Sequence, residues 1–243
     1  MPRIVFFDAF NTLFRLKDSV ANLYIKQLKA LASDCPLPTT EAVSASFRTA
    51  FKKNNTLYPL FGRNLAGGYH RWWEIIVTES LSGAGVPTNV LQQSNDRNET
   101  IPTQIVDYFA TAGPFEVNPS TERILESLKR QHFHVGVITN SDPRTEKILE
   151  ALALRKWIDL VVTSYEAGCE KPDPRIFEIA LQSASILAKE NLRPSDALYI
   201  GDDRLRDYDA PQACGWNAQL LTEWGKLQET VQYGLQVRDV ISK

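Results

Sequence analysis

The run Ile4-Val5-Phe6-Phe7-Asp8-Ala9-Phe10-Asn11-Thr12-Leu13 decides how the rest of the chain is read. Four consecutive apolar residues suit a strand buried on both faces, not one that alternates between core and solvent. The run stops at a carboxylate. Open parallel sheets bind ligands just beyond the carboxyl ends of their strands, so Asp8 stands where chemistry is expected.

Outward from that strand the chain changes character twice. Between about residues 18 and 110 apolar side chains recur at helical spacing; Val20, Tyr24, Leu28 and Leu31 share one face. Residues 42–53 and 68–81 read as further helices, and no convincing strand falls between Val20 and Phe109. After that, strands and helices alternate. Residues 134–139, 160–163, 197–200 and 218–221 read as strands. Asn118-Pro119, Asp142-Pro143 and Asp173-Pro174 each pair a capping side chain with a first-turn proline and open helices. One more helix is expected to run to about Cys214. Such alternation implies right-handed βαβ crossovers and a parallel sheet. The expected class is α/β, with residues 1–14 and 116–243 forming one core and residues 15–115 a helical insertion.

Composition narrows the function. The 243 residues carry 27 Lys+Arg against 29 Asp+Glu, a net charge of −2 without a basic cluster. That gives no electrostatic footprint for nucleic acid or an anionic membrane, so the partner expected is a small molecule. Cys35, Cys169 and Cys214 fit neither a disulfide framework nor a zinc knuckle, which suggests reduced thiols in an intracellular compartment. The amino-terminal residues enter a strand at once, leaving no room for a signal peptide, and no apolar run approaches the roughly 20 residues of a membrane span. A soluble, cytoplasmic chain is expected; its oligomeric state is not legible.

The residues that carry chemistry fall at strand ends. Asp8 ends the first strand, Thr139-Asn140-Ser141 the 134–139 strand, and Gly201-Asp202-Asp203 the 197–200 strand, with Asp207 five residues after Asp202. Lys171 lies in the loop after the 160–163 strand. A carboxylate can attack phosphorus and form an acyl-phosphate, which splits one hard displacement into two easier ones. Two carboxylates at one place repel, so a hard cation is expected between Asp8 and Asp202, and Mg²⁺ suits oxygen ligands. Lys171 would neutralise charge on the phosphoryl oxygens, and the Thr139 hydroxyl would hold them.

These motifs, D-x-x-x-T-L after a strand, T-N at a second, K-P-D-P in a loop and G-D-D-x-x-x-x-D at a fourth, resemble motifs one to four of the haloacid dehalogenase superfamily. The resemblance covers the whole chain and implies a Rossmann-like core with an inserted helical C1 cap. Trp72-Trp73, Thr163-Ser164, the Lys171–Phe177 stretch and Asp207-Tyr208 with Pro211, Ala213 and Gly215 are similar to the haloacid dehalogenase-like hydrolase domain-containing protein 3 subfamily. By resemblance, Asp8, Thr139, Asn140 and Lys171 are the catalytic set. Asp8, the carbonyl of Phe10, Asp202 and Asp207 are the metal set, with Asp207 holding a metal-bound water or Lys171.

One residue departs from the pattern. Phosphatases of this superfamily read D-x-D, the second aspartate protonating the leaving group, and this chain has Phe10 there. Its carbonyl can still serve a metal, but its side chain transfers no proton, a loss typically worth about 10²–10⁴ in rate. The 2-haloacid dehalogenases also carry an aromatic residue at this point and an Asn after the motif-two hydroxyl, yet lack the Gly-Asp-Asp of residues 201–203. Three readings stand: a Mg²⁺-dependent phosphatase-type hydrolase acting slowly or on an activated phosphate, a dehalogenase, and a catalytically silent module that binds metal and phosphate-like ligands. His70, His132, His134 and Cys169 read as structural.

Overall fold

The computed structural model describes residues 3–241, with side chains to residue 236; the outermost ends of the expected core lie outside the described residues. Five parallel strands form the main sheet: β1 (Ile4–Phe7), β4 (His134–Thr139), β5 (Leu160–Thr163), β6 (Ala197–Gly201) and β7 (Asn217–Leu220), in the order β5-β4-β1-β6-β7. Two further strands, β2 (Phe14–Leu16) and β3 (Phe115–Val117), make a two-stranded ribbon. All four residues of β1 are buried, as a central strand covered on both faces demands.

The register places the strand ends together. Ile4 pairs with His134 on one side and with Ala197 on the other, and Phe7 pairs with Val137 and Ile200. The chain winds outward from β1 through β4 to β5, then crosses back to β6 and β7. The reversal opens a crevice at the carboxyl end of β1, the point at which ligands bind in sheets of this kind.

Contacts divide the chain into two compact units, residues 1–15 with 116–243, and residues 16–115. The first crossing falls one residue later than the sequence suggests. Arg15 belongs with the core because it pairs with Glu116 at 2.5 Å and its guanidinium lies 3.8 Å from the Trp224 ring centroid. The second unit is helical: α1 (Val20–Leu31), α2 (Thr40–Leu57), α3 (Gly68–Gly83) and α4 (Ile101–Tyr108), with short turns between them. Tyr24, Leu28, Val43, Val77, Leu81 and Ile105 form its core. Trp72 is also fully buried there, its indole N–H donating to the Asn54 carbonyl at 3.2 Å. His70, whose ring meets Asp107 at 3.2 Å, ties α3 to α4.

Around the sheet lie α5 (Thr121–Arg130), α6 (Arg144–Ala151), α7 (Pro174–Ala188) and α8 (Leu227–Ile241). Asn118-Pro119 does not open α5, which begins at Thr121. The Asn118 side chain instead accepts from the Ser120 N–H at 3.1 Å and donates to the Trp224 carbonyl at 2.6 Å, so it closes a turn against the carboxyl-terminal segment. Nor does a regular helix run from Asp203 to Cys214. Residues Arg204–Asp209 form a π-type turn before a short helix at Ala210–Ala213. Among the described residues no helix is long and apolar enough to cross a membrane.

Candidate active site

Asp8 continues the ladder one residue past β1: its N–H donates to the Ile200 carbonyl at 2.9 Å, which fixes the carboxylate between the ends of β1 and β6. From the other side comes Lys171, buried in the loop after β5. Its Nζ donates to Asp8 Oδ1 at 2.7 Å, to Asp207 Oδ1 at 2.7 Å and to the Tyr199 hydroxyl at 2.8 Å. An ammonium has three N–H groups, and these three partners use them all.

The loop that carries Lys171 is clamped by Asn140. The Asn140 amide nitrogen donates to the Lys171 carbonyl, and its amide oxygen accepts from the Lys171 N–H, both at 2.8 Å. Asn140 therefore holds the lysine, its amide set against the Lys171 backbone. Thr139, at the end of β4, is buried and lines the crevice.

Asp207 reaches the site through the π-type turn. Such turns hold one residue more than an α-helical turn and gather at functional sites. The Asp203 carboxylate caps this one by accepting from the Arg206 N–H at 2.8 Å, and the Asp203 N–H donates to Asp207 Oδ2 at 3.0 Å. The turn folds the Asp207 carboxyl back over Gly201. A Cβ at Gly201 would stand 2.5 Å from the Asp207 Cγ, so position 201 has room only for hydrogen. Both Asp207 oxygens thus have protein partners, the ammonium and a backbone amide.

Among the described residues Asp8, Asp202 and Asp207 place carboxylate oxygens within 4.8 Å of one another. The electrostatics follow. Burial pushes the Asp8 carboxyl up to about 6, and the Asp207 and Asp202 charges push the same way, against the pull of Lys171. Burial and the Asp207 charge raise Asp202 as well. Burial alone would lower Lys171, but Asp8 and Asp207 outweigh it and hold the ammonium above its ordinary value. Three carboxylates face one ammonium, which leaves the cluster short of positive charge. Hard oxygen donors in a charge-deficient cluster fit a divalent cation such as Mg²⁺.

These groups line a pocket of about 230 Å³ with Phe10, Asn11 and Arg206. Phe10 is half-buried and packs edge-on against Phe14, ring centroids 4.9 Å apart. A larger hollow of about 550 Å³ between α5 and α8 is lined by glutamines, Arg123 and apolar side chains and offers no carboxylate. Chemistry, not volume, marks the site.

A parallel sheet with its nucleophile candidate at the end of the central strand, and a lysine and two aspartates around it, defines a hydrolase of the haloacid dehalogenase type. Residues 2–215 match the haloacid dehalogenase-like hydrolase family, and the chain belongs to it. It is 30% identical over 232 residues to the haloacid dehalogenase-like hydrolase domain-containing protein 3 of Mus musculus, covering 95% of this chain and 86% of that protein. The rhythmically expressed gene 2 protein of Drosophila melanogaster is 30% identical over 237 residues, 96% of this chain and 87% of that one. Among solved structures, the 2-haloacid dehalogenase of Pseudomonas syringae superposes with a TM-score of 0.64 at 19% identity, covering 96% of this chain and 99% of that one. A hydrolase of Bacillus subtilis bound to magnesium gives 0.60 at 16% identity, covering 90% and 88%. At those identities the structures speak for the fold alone.

Tyr199 escaped the sequence reading. A tyrosine inside the apolar run of residues 197–200 has the signature of a core residue, and only its hydroxyl, three positions before Asp202, hinted at more.

Proposed function

We propose that this chain is a Mg²⁺-dependent phosphatase-type hydrolase in which Asp8 attacks the phosphorus of a small phosphorylated or activated-phosphate metabolite in the cytoplasm. The observation that carries the reading is the cluster itself, two carboxylates on one buried ammonium with the Asp202 carboxylate within 4.8 Å of both, at the sheet's topological switch point.

An Asp8 oxygen forms a bond to phosphorus, and the bond from phosphorus to the leaving oxygen breaks with its electron pair going to that oxygen. Water then attacks phosphorus, the bond to Asp8 breaks with its electron pair returning to the carboxylate, and inorganic phosphate is released with the oxygen of the water. Lys171 keeps Asp8 oriented and balances its charge. Thr139 lines the crevice where a phosphoryl oxygen would lie. Asp8, the Phe10 carbonyl and Asp202 would hold the metal ion, which supplies charge neutralisation between the nucleophile and the phosphoryl group. Phe10 donates no proton, so the reading favours leaving groups that depart as stable anions, such as carboxylates and phenolates.

Phe10 also favours a second reading, a silent module that binds metal and phosphate-like ligands. The test is turnover of acetyl phosphate, p-nitrophenyl phosphate and a 2-chloroacid, each with and without Mg²⁺. Mg²⁺-dependent release of phosphate supports the proposal. Turnover of the chloroacid alone would replace it with dehalogenation, and binding of Mg²⁺ with beryllium fluoride but no turnover would leave the silent module.

A further inference from the structure

Tyr199 is fully buried in β6, in the cluster of Phe6, Ile138, Phe177 and Trp216. A phenylalanine would fill the same space, so the hydroxyl needs an account of its own, because a buried polar group is costly unless it is paired. Its pairing is specific. The oxygen accepts from Lys171 Nζ at 2.8 Å and donates to the Ile138 carbonyl at 2.8 Å. Ile138 precedes Thr139, Tyr199 stands on the strand that ends at Asp202, and Lys171 touches Asp8 and Asp207. One hydroxyl therefore links the ends of β4 and β6 to the nucleophile through the lysine.

We propose that Tyr199 is a positioning residue: its hydroxyl, fixed by the Ile138 carbonyl, holds the Lys171 ammonium on Asp8 and Asp207. The two carboxylates alone leave the third N–H of the ammonium unpaired inside the core, free to pull the nitrogen toward any other acceptor. With Tyr199 in place the nitrogen has one position that satisfies all three N–H groups, and Asp8 is aimed accordingly. Burial and the nearby Asp207 and Asp8 charges push the phenol well above its ordinary value, so it remains the donor to Ile138 that this geometry needs.

The experiment has two arms. In the first, ¹⁵N NMR of the side-chain ammonium groups is recorded on wild type, Tyr199→Phe and Phe177→Leu. Phe177 packs edge-on against Tyr199 with ring centroids 5.8 Å apart, so its variant reports packing loss without touching the proposed bond. A slowly exchanging Lys171 ammonium with a nuclear Overhauser contact to the Tyr199 ring is expected in wild type and in Phe177→Leu. In Tyr199→Phe the signal should exchange faster or vanish while the circular dichroism is unchanged. Absence of the wild-type contact, which needs no variant to fold, overturns the proposal, as does an unaltered ammonium signal in Tyr199→Phe.

The second arm rests on the phosphatase reading. Turnover of acetyl phosphate by Tyr199→Phe should lose about 10-fold in kcat, the usual scale for a residue that orients a functional group, with KM little changed. A risen KM at wild-type kcat overturns the positioning role. Wild type without turnover refutes the phosphatase reading and leaves the first arm to decide on Tyr199.

Discussion

Replacing Asp8 with Asn should stabilise the metal-free protein even as it removes the proposed nucleophile. The Asp8 carboxyl is pushed from 3.8 up to about 6 by burial and by the neighbouring Asp207 and Asp202 charges. At about 1.4 kcal/mol per pH unit, holding that group ionised costs the folded state about 3 kcal/mol relative to the unfolded chain. Below pH 3.8 the carboxyl is protonated in both states and the penalty is absent. Between 3.8 and about 6 the folded protein binds more protons than the unfolded one, so wild-type stability falls as pH rises, and above about 6 the penalty is constant. Lys171, raised by its carboxylates, stays charged throughout this window, and Asp202 titrates in both proteins. The variant leaves Lys171 paired with Asp207, a balanced couple, so the gain should survive as about 1–3 kcal/mol at neutral pH. Urea unfolding in EDTA, followed by tryptophan fluorescence from about pH 4 to about pH 7.5, measures it. The gap between variant and wild type should open across the titration window. A variant less stable than wild type at neutral pH, or a gap independent of pH, would refute the reasoning.

Three further outcomes are expected. Asp202→Asn should weaken Mg²⁺ binding in calorimetry, and equal affinity in both proteins would remove Asp202 from the metal site. Phe10→Asp should raise turnover of an alkyl or sugar phosphate about 10-fold or more while changing p-nitrophenyl phosphate little, since acid catalysis matters most for poor leaving groups. Because Phe10 packs on Phe14, its melting temperature must be followed alongside; a folded, metal-binding variant that hydrolyses neither ester counts against the phosphatase reading. Gly201→Ala puts a methyl 2.5 Å from the Asp207 carboxyl, which must swing away and break its bond to Lys171. That variant should lose activity and about 1–3 kcal/mol of stability, and wild-type values for both would show that the π-type turn yields cheaply.

Strand positions were legible in the sequence because buried parallel strands leave short apolar runs that stop at polar residues. Ile4–Phe7, His134–Thr139 and Leu160–Thr163 are read to the residue in that way. The ribbon of β2 and β3 was not, since three residues are too few for any period to show. The charged groups of the site stand out at strand ends, whereas the partners that hold them do not. Asn140 enters the catalytic set by resemblance, and nothing in the sequence shows that its amide is set against the Lys171 backbone. Tyr199 looks like packing until its hydroxyl is seen against the ammonium. The turn at Arg204–Asp209 reads as α-helix because nothing in its composition records the extra residue that Asp207 needs to lie over Gly201.

The place of β1 in the sheet has a bearing on how the molecule is made. Its two neighbours are β4 and β6, so Ile4 meets His134 and Ala197, residues synthesised long after it. When residues 16–115 have been made, neither strand that flanks Ile-Val-Phe-Phe in the sheet has yet been synthesised, so both of its hydrogen-bonding edges lack their partners. Contacts of such long sequence separation form slowly, and an exposed apolar strand invites pairing with another nascent chain in the interval. The strand that ends at Asp8 is thus the segment with the longest wait for its partners, and the one that a chaperone holding the growing chain would have most reason to cover.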